Sequence, residues 1–442
     1  MLRRRSYTAP MRVRPMLLLA SLAFASGAAA QVSLRELPEL ARQRAERLRP
    51  QQIKALEPFW ADLKLDYAIN QEVLERRIAD VADLGDNIVP LLLEKLAPAQ
   101  GGAASRNLAA NCRRVLERFD PGSFVDALAE LAKGDNEIGR AEAIRLLGLA
   151  RVPQAGRILT ELVDSTTGED QRLVVRSLKL LQIKEAAPRV VPMLASQDRR
   201  VREDVLAYLI ACRADEVAAT VAQALEAEGD TRMLPHYIDY FAACVRHDER
   251  AAAALLPLLE GDKLDWQDTR TLVEALAKVA PPGHPPTCRK LLEMVDANDT
   301  GFLAVEAAVS LHDLGDKQGV TRLRKTLDEQ IRRRKREVQL YEKRASLLFA
   351  IEEYGDAIDD FEQVLDHTEG MAMTRRAYVG LIRAEARRKG RVQNLLRHMK
   401  ASNMTVAEYN DLAASDPAVK AAFDHDSVRR FLRAQAKAEA PK

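Results

Sequence analysis

Residues able to do covalent or metal chemistry are sparse along these 442 positions: seven histidines and four cysteines. His284 and Cys288 sit together in the turn "APPGHPPTC" and offer two groups that suit zinc. A structural zinc site takes four ligands, and nothing nearby supplies the others. The expectation is an exposed turn histidine beside a buried cysteine. Cys112, Cys212, Cys244 and Cys288 include no C-x-x-C pair and are expected as small, buried helix residues. The best-spaced pair for a disulfide is Cys212 and Cys244, 32 residues apart. Helix axes ~8–10 Å apart put many such pairs beyond the ~7 Å a bridge spans, so free thiols are favoured. The metalloprotease, nucleophile-elbow, dinucleotide, phosphate-loop and EF-hand signatures are absent. No catalytic, cofactor-binding or metal-ligating residue is assigned, no cofactor is expected, and the chain reads as a non-enzyme.

Charge offers a second kind of chemistry. Arg332, Arg333, Arg334, Lys335 and Arg336 are consecutive cations, and Arg383, Arg387, Arg388, Lys389, Arg391, Arg397 and Lys400 form a second basic region. Between them lie Glu352, Glu353, Asp356, Asp359, Asp360, Glu362 and Asp366. Solvated faces that attract one another between stacked helices are the leading reading. The alternative is a strip for an anionic polymer or an acidic protein. Aromatic residues do not interleave the cations as base stacking needs, so nucleic acid is not favoured.

The first thirty residues differ from the rest. "MRVRPMLLLASLAFASGAAAQ" has a basic start, an apolar run from Met16 to Ala25 and small residues from Gly27 to Ala30. That order is the layout of a secretory signal with cleavage after Ala30. The run is shorter than the ~20 residues a membrane span needs, and no later segment is long enough. Export places the protein in the periplasm or outside the cell. Without its five signal-segment arginines the formal charge of +2 becomes −3, which gives no global attraction for nucleic acid.

The elements that position these residues are helices. Apolar residues make up 47% and charged residues 30%, suiting a folded chain. Aromatics are only 5%, strong helix formers dominate, and period-two strand patterns are scarce. The fold class is therefore all-α. Paired helices are expected over 71–97, 104–133, 136–165, 169–196, 198–228, 230–260, 265–296 and 299–330. In the clearest pair Asp198 caps the first helix. Val201, Val205, Leu206 and Leu209 then form one face, and Val217, Val221, Ala224 and Leu225 form the next. Pro192 and Pro257, 65 residues apart, match "DNIVPLLLEKLAP" and are expected early in second helices, where a missing amide costs least. One helix pair cannot bury its apolar face alone, so recurrence at this period implies an α-solenoid.

The D-x-x-V-R opening at Asp198 and the proline-bearing second helices resemble HEAT-type repeats over about residues 61–330. Further on, Tyr341, Ala345, Tyr354, Ala357 and Phe361 match the spacing of the tetratricopeptide (TPR) repeat, with Leu348 in place of the usual aromatic. That resemblance covers about residues 337–434, ending in a stretch similar to capping helices. It implies that Ala357 allows close helix crossing and Phe361 fills the space beside it. It also implies a groove faced by Gln339, Glu342, Lys343, Ser346 and Phe349. Glu342 and Ser346 do not fit a carboxylate clamp. The expected organisation is a signal at 1–30, a helical lead-in at 31–60, HEAT-like repeats at 61–330, TPR-like repeats with a cap at 331–434, and a disordered tail at 435–442. The expected function is an exported scaffold for protein or peptide partners. The alternative is a ligand- or polyanion-binding module using basic helices near 332–336 and 383–400. The candidate partner contacts are Lys343, Phe349, Arg333, Arg334, Arg387 and Arg388.

Protein recovered from its source cells should begin close to Gln31. Terminal peptide mapping checks this, and intact peptides spanning Ala30 together with cytosolic recovery would contradict it.

Overall fold

The computed structural model describes residues 59–439 apart from 262, 299–300, 369 and 389–391. The expected signal at 1–30 and nearly all of the lead-in at 31–60 lie outside the described residues. Among the described residues the chain is α-helix with short 3-10 turns and no strand. The described residues form two compact units, one up to residue 143 and one from residue 144 onward, divided within the helix Glu137–Leu147.

In the first unit Gln71–Ala82 is followed by Val89–Leu96, and Ala103–Leu116 by Val125–Lys133. Leu74, Ile78, Leu92, Leu96, Cys112 and Val115 are buried at helical spacing, which is why these segments fold as amphipathic helices. Asn111 is buried too, and its amide donates to the carbonyls of Leu63 and Leu65 at 2.9 and 3.2 Å. It ties the irregular stretch before the first helix to the second pair.

The second unit is an α-solenoid of stacked helix pairs. Its first helices, Gly168–Leu181, Arg199–Cys212, Leu234–Cys244, Trp266–Val279, Phe302–Asp313 and Val338–Ala350, each pack on the next. The packing therefore runs through residue 331, where the sequence pattern changes. Starts and stops are chemically marked. Asp198, Asp248 and Asp265 each accept a bond from a free amide in the first helical turn. Gln182, Arg213, Gly315 and Glu352 end helices in the left-handed region, with φ of 53, 49, 88 and 65°. In each case the following amide reaches back five residues, as Ala214 N–H does to Leu209 O at 3.0 Å.

Repeats are bonded to one another as well as packed. Tyr208 Oη donates to Ile183 O at 2.5 Å, and Tyr240 Oη to Ala214 O at 2.7 Å. Ser177 Oγ reaches Ile144 O and Ser310 Oγ reaches Val273 O, at 2.9 and 3.2 Å. Cys244 Sγ lies 3.7 Å from Leu209 O. All four cysteines are free thiols, but only Cys112 is fully buried and the other three are half-buried.

Several expectations change. Pro192 and Pro257 lie late in their second helices, inside the 3-10 turns Val191–Ala195 and Leu256–Leu259. A proline ring clashes with the carbonyl four residues back, so the α-helix stops and the chain finishes in tighter turns. Pro90 does sit in the first turn of its helix. Ala222 rather than Ala224 completes the buried face of Ala218–Glu226. His284 is buried, not exposed, because Nδ1 pairs at 2.8 Å with the fully buried Thr287 hydroxyl. The turn it closes is tied across the stack by Gly283 N–H to Leu314 O at 2.8 Å. The segment 332–336 is not a helix of its own. The helix Gln318–Arg333 ends there and Val338–Ala350 begins after a turn. Cations collect where helix carbonyls leave partial negative charge. Residues 435–439, expected in a disordered tail, continue the helix Asp426–Glu439, and Gln435 Nε2 donates to Met404 O at 2.5 Å.

Two residues of the helix Tyr354–His367 carry its packing on the helices around it. Ala357 is fully buried, and Phe361 is buried against Gly380 of the helix Met371–Arg388. A methyl group at Gly380 would lie 2.4 Å from the tip of the Phe361 ring. Beyond it, Ile382, Leu395, Met399, Tyr409, Val419 and Phe423 close a C-terminal core.

Phe361→Ala should cost ~3–5 kcal/mol through the cavity it leaves. Gly380→Ala should cost ~1–3 kcal/mol through overpacking. Gly380→Ala combined with Phe361→Leu should recover part of the second loss, read as a double-mutant cycle in urea. Additive losses would show that the ring and the glycine do not meet.

Candidate functional site

A concavity edged by charged side chains lies along the helix Gln318–Arg333. Gly319, Leu323, Leu327 and Ile331 recur every fourth residue and are buried, which fixes the helix on its neighbours. Gly319 permits close approach, since a methyl there would lie 2.5 Å from Leu311 Cδ1 and 3.2 Å from Ala308 Cα. The other side carries Lys317, Thr321, Arg324, Lys325, Asp328 and Arg332, again one face at helical spacing. These residues line a cleft of about 530 Å³ with Val320, His312, Ile351 and Glu353. A second hollow of about 490 Å³ shares Arg324, Asp328 and Arg332 and adds Arg344 and the acids of Tyr354–His367.

Two arginines organise the floor. Arg344 forks onto Asp360 at 2.6 and 2.7 Å and reaches Asp328 Oδ1 at 2.6 Å. It thereby clamps Gln318–Arg333 to Tyr354–His367. Burial pushes the Asp360 carboxyl up, and the Arg344 guanidinium opposes that shift. The bonds to Asp360 hold the Arg344 charge in place. Arg324 spans Glu353 and Asp356 at 2.7 and 3.0 Å. By contrast, Lys317, Lys325, Arg332, Arg333, Lys335 and Arg336 are exposed and make no ion pair among the described residues.

The residues assigned from sequence are scattered by the fold. Arg333 and Arg334 are exposed at the end of the cleft helix, and Arg334 pairs with Glu337 at 3.1 Å. Lys343 Nζ sits 5.2 Å over the Phe302 ring. Phe349 is half-buried, edge-on to Tyr354 at 5.6 Å and beneath the Arg387 guanidinium at 4.9 Å. Arg387 also donates to Asp416 at 2.7 Å, so both residues serve packing. Arg388 is exposed. Among the groove positions, Glu342 is buried and held by Arg376 at 2.6 Å, while Ser346 bonds to its own helix. Arg397 pairs with Glu362 at 2.8 Å. Lys317, Arg324, Lys325 and Arg344 were missed by the sequence reading. Their signal was the 317, 321, 324, 325, 328, 332 spacing, which a search for runs of like charge passes over.

Among the described residues no group of three or more His, Cys, Asp or Glu side chains could hold a metal ion, and no helix is long and apolar enough to cross a membrane. No protein-family model and no curated protein matches the sequence. Among solved structures, the crystal structure of an engineered protein is 16% identical, covering 88% of this chain and 97% of its own, with a TM-score of 0.31. At that score the likeness carries no argument.

His398 gives the C-terminal end a pH response. Burial lowers its pKa from 6.5 to about 4, helped by Arg397, while Glu362 sits 3.8 Å from Nε2. The unfolded chain takes up this proton first as pH falls. The stability contributed by a neutral His398 is therefore full above pH 6.5 and lost progressively towards pH 4. The loss should be roughly 3 kcal/mol. His398→Leu should flatten that part of the slope in urea denaturation between neutral and acid pH, and an unchanged slope would contradict it.

Proposed function

We propose that this chain is an exported, non-enzymatic scaffold that binds protein or peptide partners on its helical-repeat surface. The observation that carries this reading is the cleft beside Gln318–Arg333, open to solvent and edged by cations that the fold leaves unmatched. Binding there is non-covalent: shape, apolar wall contacts at Val320 and Ile351, and charge on the rim. The signal-like segment at 1–30 supports the exported setting. A polyanion-binding role is the second reading. The exposed basic turn at 332–336 favours it, whereas Arg383, Arg387 and Arg397 near 383–400 are already occupied by Asp416 and Glu362.

Photo-crosslinking residues placed singly at exposed Thr321 and at exposed Thr220 test the scaffold reading in cells. Adducts of defined protein mass from either position are expected, in the envelope fraction. No protein adduct at either position, with the chain folded and exported, would overturn it. Adducts that vanish steeply with added salt and contain polymer rather than protein would favour the polyanion reading instead.

A further inference from the structure

The unmatched cations have a geometry that specifies more than a general surface. Lys317 at the N-terminal cap, Lys325 and Arg332 line the cleft along a single helix, and exposed Arg333, Lys335 and Arg336 add charge at its C-terminal end and in the following turn. The helix is held rigidly, by buried Leu323, Leu327 and Ile331 beneath and by the Arg344 clamp at its side. At ~1.5 Å per residue its sixteen residues give the row a length of about 24 Å. Beside the row lies the cleft, with Val320 and Ile351 in its wall.

We propose that this edge binds an extended, acidic peptide segment of a partner protein, with its carboxylates on the cation row and one or two apolar side chains in the cleft. The inference rests on the scaffold reading above and names the ligand class for it. An extended chain at ~3.3 Å per residue covers the row with seven or eight residues. Acids of the cleft do not cancel the row. Asp328 and Asp360 are taken by Arg344, and Glu353 and Asp356 by Arg324. Exposed Asp359 borders the neighbouring hollow and keeps an acidic ligand to the outer edge. A nucleic acid fits less well, because no Phe, Tyr or Trp ring lines the cleft and the single His312 offers one stacking platform rather than a series.

The test uses the full chain from Gln31 onward and a fluorescein-labelled ten-residue peptide bearing six Glu and two Leu. Anisotropy should show saturable binding, with no binding of the same peptide carrying Lys in place of Glu. Lys317→Glu, Lys325→Glu and Arg332→Glu together should weaken binding at least tenfold and let the Lys peptide bind. The same number of reversals at exposed Arg430, Arg433 and Lys437 should leave affinity within twofold. Replacing both Leu by Ser should weaken binding severalfold. The charge-swapped gain for the Lys peptide keeps the result readable if the triple variant loses stability. Equal weakening by both sets of reversals, or no binding of the acidic peptide, overturns the cleft assignment. Equal binding of inorganic polyphosphate, insensitive to the Leu residues of a competing peptide, overturns the peptide class. Crosslinks from Thr220 that persist in the triple variant would leave the scaffold reading standing while this inference fails.

Discussion

A turn that leads the chain off a helix inside a stack presents carbonyl oxygens inward, and the next repeat supplies donors to them. Ile183 and Ala214 each follow a left-handed residue that turns the chain away from its helix axis. Their carbonyls receive the hydroxyls of Tyr208 and Tyr240 from the adjacent first helix. A hydrogen bond of this kind contributes about 1 kcal/mol net, but leaving a buried carbonyl bare costs more. Each pair is thus completed by its neighbour in polar terms as well as apolar ones. Ser177 and Ser310 add hydroxyl bonds at other joints, to the carbonyls of Ile144 and Val273 on the preceding helices.

Close approach is the companion requirement. Gly148 faces Ser177, Gly156 faces Ile183, Gly319 faces Leu311 and Gly380 faces Phe361, each at a distance that a methyl group would violate. These contacts set how near neighbouring helices lie. At Gly319 the effect reaches the cleft. Because that helix sits low on Phe302–Asp313, its opposite edge stands clear to present Lys317, Lys325 and Arg332. Structural small residues and exposed cations are therefore two faces of one helix.

Much of this architecture was legible in the sequence because it is written in local chemistry. Aspartates that accept from free amides mark helix starts, and apolar residues at 201, 205, 206 and 209 mark a buried face. What escaped depended on neighbours far along the chain. His284 looked exposed because its turn is rich in proline and glycine, yet Thr287 and the backbone of Leu314 draw that turn inward. Pro192 and Pro257 were recognised as equivalent but placed too early, since a proline can open a helix or close one and only the surrounding chain decides. The cations of the cleft were hidden by spacing. A run such as 332–336 is conspicuous on the page, while 317, 325 and 332 become a row only when wound on a helix. Arg387 and Phe349 looked available until Asp416 and a neighbouring helix occupied them.

The bonds between repeats reach short distances along the chain: Tyr208 to Ile183 spans 25 residues, Tyr240 to Ala214 spans 26, and Arg172 to Asp204 spans 32. A chain made from its N-terminus onward never has to wait for its far end. Once one helix pair is free of the ribosome or of a translocation pore, the next pair completes it within a few seconds of synthesis at ~5–20 residues per second. The newest pair is then the one exposing unfinished carbonyls and apolar surface, so the interval in which a protease or a chaperone can engage this unit moves along it as a narrow front. The Arg344 clamp, which needs both Asp328 and Asp360, closes only after the whole cleft helix has been made.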